Sequence, residues 1–133
     1  MDRNPYGAGL SILVVDDQRE FRIAMQQMLD SLGFNTILAA DGAEALTALS
    51  KQTVALMITD LYMPHVDGLE LMRRLRLHVD PVPPIIAVTG NNSITGFAVG
   101  NVAGALGARS VLVKPFSLDQ LTAAIGLALS ERP

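Results

Sequence analysis

Ala55-Leu56-Met57-Ile58-Thr59-Asp60 is a short apolar run that stops at a carboxylate. Three other runs have the same build. Ile12-Leu13-Val14-Val15 leads into Asp16-Asp17, Ile85-Ile86-Ala87-Val88 into Thr89, and Val111-Leu112-Val113 into Lys114-Pro115. Runs of this length without polar alternation suit strands of a parallel sheet covered on both faces. In open parallel sheets, ligands bind beyond the carboxyl ends of the strands. All four runs therefore end in residues suited to phosphate or metal chemistry, at the end of the sheet where ligands bind.

Working outward, strand-like and helix-like segments alternate five times, with strands expected at 11–15, 35–39, 54–59, 84–89 and 110–113. The first helix follows Asp17, carries the apolar stripe Phe21, Met25, Met28, Leu29 and Leu32, and stops at Gly33. Asp41-Gly42-Ala43-Glu44, Asp67-Gly68-Leu69-Glu70 and Ser117-Leu118-Asp119-Gln120 each pair a cap residue with an acid or amide three places on, which marks a helix start. Val82-Pro83-Pro84 marks a loop. The expected fold is α/β, a doubly wound five-stranded parallel sheet with right-handed crossovers, flavodoxin-like (βα)5. The order 2-1-3-4-5 is favoured because it sets strands one and three side by side, so that Asp16, Asp17 and Asp60 converge.

Three carboxylates in one pocket repel. At about 4 Å and an effective dielectric near 20, each like pair costs about 4 kcal/mol, so the cluster needs a cation or protons. Carboxylates suit a hard cation such as Mg²⁺, and the backbone carbonyl of Tyr62 is a further candidate ligand. Beside such an ion Asp60 can act as a nucleophile toward phosphorus, with Lys114 neutralising charge and the Thr89 hydroxyl donating to a phosphoryl oxygen. Blander readings stand beside these. Asp17 can serve only as a cap, because Asp17-Gln18-Arg19-Glu20 is itself a capping pattern. Asp60 alone reads as an ordinary turn residue, and His65 and His78 are assigned to no metal.

These residues carry a family resemblance. Ile12-Leu13-Val14-Val15-Asp16-Asp17, Thr59-Asp60-Leu61-Tyr62-Met63-Pro64 with Val66-Asp67-Gly68, Val88-Thr89-Gly90, Lys114-Pro115-Phe116 and Ala40-Asp41-Gly42-Ala43-Glu44-Ala45-Leu46 resemble the receiver domain of two-component response regulators. A chemotaxis receiver is a known example of the 2-1-3-4-5 order, so that order is not an independent inference. The resemblance implies a phosphorelay signalling domain over residues 10–130, after a flexible tail at 1–9. Asp60 accepts phosphate from a sensor histidine kinase or phosphotransfer protein, Asp16 and Asp17 hold Mg²⁺, Thr89 is the switch hydroxyl and Lys114 pairs with the phosphoryl group. It also implies a cis bond before Pro115. One departure stands out: Val111 occupies the place, three residues before the lysine, where the family often has Tyr or Phe.

The bulk numbers agree. A chain of 133 residues fits one domain. It has no cysteine, a formal charge of −3 and ten scattered basic residues, which gives no nucleic-acid footprint. No signal-like or membrane-length apolar run occurs, and a cytoplasmic location is expected. No charge occurs between Asp80 and Arg109, a span holding a candidate fourth helix with Gly96, Gly100 and Gly104. The fifth helix is apolar all round, so helix four, strand five and helix five are the expected face for a downstream effector or homodimer. A phosphorylation-independent interaction module and an aspartyl phosphatase are the competing readings. Against the phosphatase, the residue two places after Asp60 is Tyr62 and not an acid.

Overall fold

The computed structural model describes residues 9–61, 68–90 and 107–130. Five strands, β1 (Ser11–Val15), β2 (Asn35–Ala39), β3 (Leu56–Asp60), β4 (Ile85–Thr89) and β5 (Ser110–Val113), form one parallel sheet in the order β2-β1-β3-β4-β5. Helices α1 (Arg19–Ser31), α2 (Gly42–Lys51) and α3 (Gly68–His78) lie between strands, and a C-terminal helix spans Leu118–Ser130. The candidate fourth helix, the Asp67 cap, His65 and the Tyr62 carbonyl lie outside the described residues.

Strand side chains alternate between two apolar clusters, because successive residues point to opposite faces. Ile12, Val14, Leu56, Ile58, Ile86, Val88 and Leu112 pack with Met25 and Leu29 of α1 and with Leu121, Ile125 and Ala128 of the C-terminal helix. Leu13, Val15, Met57, Ile85 and Ala87 pack with Ala45 of α2 and Leu71, Met72 and Leu75 of α3. The sheet is thus covered on both faces, which is why its strands read as continuous apolar runs. Each large side chain buried this way contributes about 1.5–3 kcal/mol.

Local signals set the helix ends. At the end of α1, Phe34 N–H donates to Leu29 O and Gly33 N–H to Asp30 O, with Gly33 at φ 91°, a left-handed turn that glycine adopts without strain. At α2 the Asp41 side chain accepts from Glu44 N–H, while the Glu44 carboxylate accepts from Ala40 N–H. At the C-terminal helix Ser117 Oγ accepts from Gln120 N–H, and Gln120 Oε1 accepts from Ser117 N–H.

Two strands differ in their bounds from the sequence expectation. The third strand runs 56–60 and not 54–59, and the fourth begins at 85 and not 84. Asp60 belongs to β3 because its backbone stays in register with Val88, whatever its side chain prefers. Pro84 still accepts from Met57 N–H, but it has no N–H of its own to extend the ladder.

Candidate functional site

The site grows out of the strand register. Val15 pairs with Thr59, so the next residues, Asp16 and Asp60, lie side by side across β1 and β3. Val88 pairs with Asp60 and Val113 with Thr89, which carries the same row of strand ends to Lys114. Ladder bonds run up to the site itself: Asp16 N–H donates to Ala39 O, Leu61 N–H to Val88 O and Lys114 N–H to Thr89 O. Side-chain alternation then sorts the groups. Asp16, Asp60 and Lys114 continue the rows that face α1 and the C-terminal helix, and Thr89 continues the opposite row.

The Lys114 ammonium bridges the two buried carboxylates, with Nζ 2.9 Å from Asp16 Oδ2 and 2.9 Å from Asp60 Oδ2. Asp16 Oδ1 accepts from Gln18 N–H at 2.8 Å, and Arg22 Nη1 donates to the Asp16 carbonyl at 2.7 Å. Asp17 is exposed, yet one of its carboxylate oxygens lies within 4.8 Å of oxygens of both Asp16 and Asp60. The capping alternative for Asp17 does not hold, because the N-cap of α1 is Gln18 and no side chain caps that end. Thr89 is fully buried, and its Oγ1 has no hydrogen-bond partner among the described residues. The Lys114–Pro115 bond is cis, as is Asp80–Pro81. Val111, on edge strand β5, is partly exposed.

Burial raises the Asp16 carboxyl from 3.8 to about 6, and repulsion from Asp60 adds to the rise. The bonds from Lys114 and from Gln18 N–H oppose it without cancelling it. Burial works against the charge of Lys114 as well, but its bonds to Asp16 and Asp60 win, and the ammonium is held above its ordinary value. Three carboxylates and one ammonium leave the cluster with excess negative charge. Hard carboxylate oxygens grouped this closely fit a small divalent cation.

Sequence reasoning missed three contributors. Phe21 read only as part of the α1 stripe, yet its ring lies under the Lys114 ammonium. Arg22 carried no motif and Gln18 read only as part of the Asp17 capping pattern, and their value comes from where α1 enters over the end of β1.

The comparisons agree with this geometry. Residues 12–126 match the family described as the response regulator receiver domain. The chain is 40% identical over 114 residues to the C4-dicarboxylate transport transcriptional regulatory protein DctD of Rhizobium meliloti, covering 86% of this chain and 24% of that protein. It is 38% identical to response regulator MprA of Mycobacterium avium, covering 86% of this chain and 48% of that one. The chain therefore spans about a quarter to a half of these relatives' length. Among solved structures, the Vibrio cholerae chemotaxis protein CheY4 is 31% identical with a TM-score of 0.79, covering 92% of this chain and all of that one. A receiver domain protein from Clostridium thermocellum superposes with a TM-score of 0.81 at 25% identity, covering 90% and 94%. No helix among the described residues is long and apolar enough to cross a membrane. With a family match over most of its length and the same five-stranded order, the chain belongs to the response regulator receiver domains of two-component signalling.

Proposed function

We propose that this domain is a phosphorylation switch in which Asp60 accepts a phosphoryl group from a phosphohistidine on a kinase or phosphotransfer protein. The observation that carries the reading is the Lys114 ammonium seated between Asp16 and Asp60, with Asp17 alongside. A carboxylate oxygen of Asp60 forms the new O–P bond as the donor's P–N bond breaks, and the electron pair leaves with the imidazole nitrogen, which takes its proton from solvent. Lys114 follows the developing negative charge on the phosphoryl oxygens. Thr89, with an uncommitted buried hydroxyl, is the donor available to a phosphoryl oxygen.

Asp16, Asp17 and Asp60, with the Tyr62 carbonyl as a fourth candidate, are the residues to hold Mg²⁺, which when bound supplies charge neutralisation for the incoming phosphoryl group. The working unit is residues 10–130, and it assists its own phosphorylation and dephosphorylation without turning over a separate substrate. The output face comprises the segment after β4, β5 and the C-terminal helix, and it serves a downstream protein or a second copy of the chain. The aspartyl-phosphatase reading is weaker, because Tyr62 stands where a second acid is needed.

Incubation with Mg²⁺ and a small acyl phosphate tests the proposal. The expected result is a one-phosphate mass gain in the wild-type chain that is absent in Asp60→Asn. No gain in either protein favours a phosphorylation-independent interaction module, the reading to which Val111 lends support. Multiple turnover on unrelated phosphate esters favours a phosphatase.

A further inference from the structure

Lys114 reaches its two carboxylates along a flexible four-carbon stem, which loses much rotamer freedom when held in one place. A third contact restrains it. Nζ stands over the ring of Phe21, 4.1 Å from the centroid. Phe116, two residues beyond Lys114, meets the Phe21 ring edge-on, with centroids 6.0 Å apart and planes at 82°. Phe21 lies in the first turn of α1, and both rings are half-buried against the apolar cluster beneath that face of the sheet. Met25 and Leu29 of the same stripe are fully buried in the core. Phe21 sits at the rim, where it offers a cation the negative face of an aromatic ring.

We propose that Phe21 is a positioning residue for the phosphorylation of Asp60. Its ring face, braced by Phe116, holds the Lys114 ammonium against Asp16 and Asp60. The inference rests on the phosphoryl-acceptor reading given above. An aliphatic side chain of similar size fills the same space but offers no quadrupole, so the ammonium then samples more of the solvent-facing space at the mouth of the site. Arg22, the next residue, fixes the Asp16 carbonyl from the same turn of helix. The start of α1 thus orders both the acid and the base side of the site.

The chain contains two lysines, Lys51 and Lys114, so a proton–carbon spectrum of lysine Cε groups holds two signals. Protons above a ring face are shielded. The Lys114 signal of the wild-type chain is therefore expected upfield of Lys51, and it moves to the Lys51 position in Phe21→Leu. With Mg²⁺ and a small acyl phosphate, the rate of mass gain is expected to fall about three- to tenfold in Phe21→Leu and to return to within about twofold of wild type in Phe21→Tyr. Two overlapping lysine signals in the wild-type chain overturn the proposal, whether or not Phe21→Leu folds. Equal rates of mass gain in wild type and Phe21→Leu also overturn the role of Phe21 while leaving Asp60 as acceptor. Absence of any mass gain in the wild type overturns the acceptor reading and, with it, this role.

Discussion

At Asp16 two requirements fall on one side chain. Folding seats it with no exposed surface beside Asp60, and the proposed metal-binding role needs it ionised. Its carboxyl is raised from 3.8 in the unfolded chain to about 6, with burial the leading cause. Between those values the folded state keeps a proton that the unfolded state has lost, so the contribution of Asp16 to stability falls as pH rises through this window. The full penalty, about 3 kcal/mol at 1.36 kcal/mol per unit, applies above the folded value. Asp16→Asn keeps the shape and removes the titration. In chelator, the variant's stability relative to wild type is expected to improve by roughly 2 kcal/mol between pH 4 and pH 7, as measured by urea unfolding of both proteins. A difference that stays constant across that range contradicts the burial argument. A site that destabilises its own fold to stay reactive is a common trade.

Among the elements, β5 and the C-terminal helix leave apolar surface uncovered. Val111 and Val113 project from one side of an edge strand, and Leu118 and Leu127 lie exposed on the helix. If this edge is the output face, native mass measurement is expected to show a dimer fraction that rises on phosphorylation and is lost in Val113→Lys. A strict monomer in both states removes self-association and leaves a different protein as the partner. The elements also show what the sequence made legible. Apolar runs marked β1, β3 and β4 most clearly because both faces of the sheet are covered there, while the edge strands β2 and β5 are only partly buried, and the Asp41, Ser117 and Gly33 signals marked helix ends through hydrogen bonds that local residues complete by themselves. The start of α1 was misleading, because a capping pattern at Asp17 competes with a tertiary demand. Gln18 N–H donates to the Asp16 carboxylate, and Asp17 turns toward the acidic group. Asp16, Asp60 and Lys114 were legible as strand-end residues. Phe21 was not, since its role depends on how α1 crosses the sheet, and no spacing along the chain encodes that angle.

For the whole molecule, the site is the place where four strand ends and the start of α1 are held in a common arrangement. The carboxylates come from the two residues after β1 and from the end of β3, the ammonium comes from the residue after β5, and the ring comes from α1. Only folding brings Asp60 and Lys114 to the neighbouring pair Asp16 and Asp17: 98 positions separate Lys114 from Asp16, and 54 separate it from Asp60. A cation that needs all the carboxylates together therefore binds the folded state and not the unfolded one. Mass action then stabilises the fold by about 2.7 kcal/mol at a free-ion concentration of 100 times Kd. For a domain of this size that is a rise in Tm on the order of 10 °C. Mg²⁺ is expected to produce this rise in the wild-type chain and little of it in Asp16→Asn. Thermal unfolding of both proteins across a Mg²⁺ titration measures the effect. The wild-type curve is expected to rise more steeply than the variant's as the ion is added, because the same carboxylate that opposes folding when bare supports it when bound. Parallel curves place the ion elsewhere on the protein and detach the acidic group from metal binding.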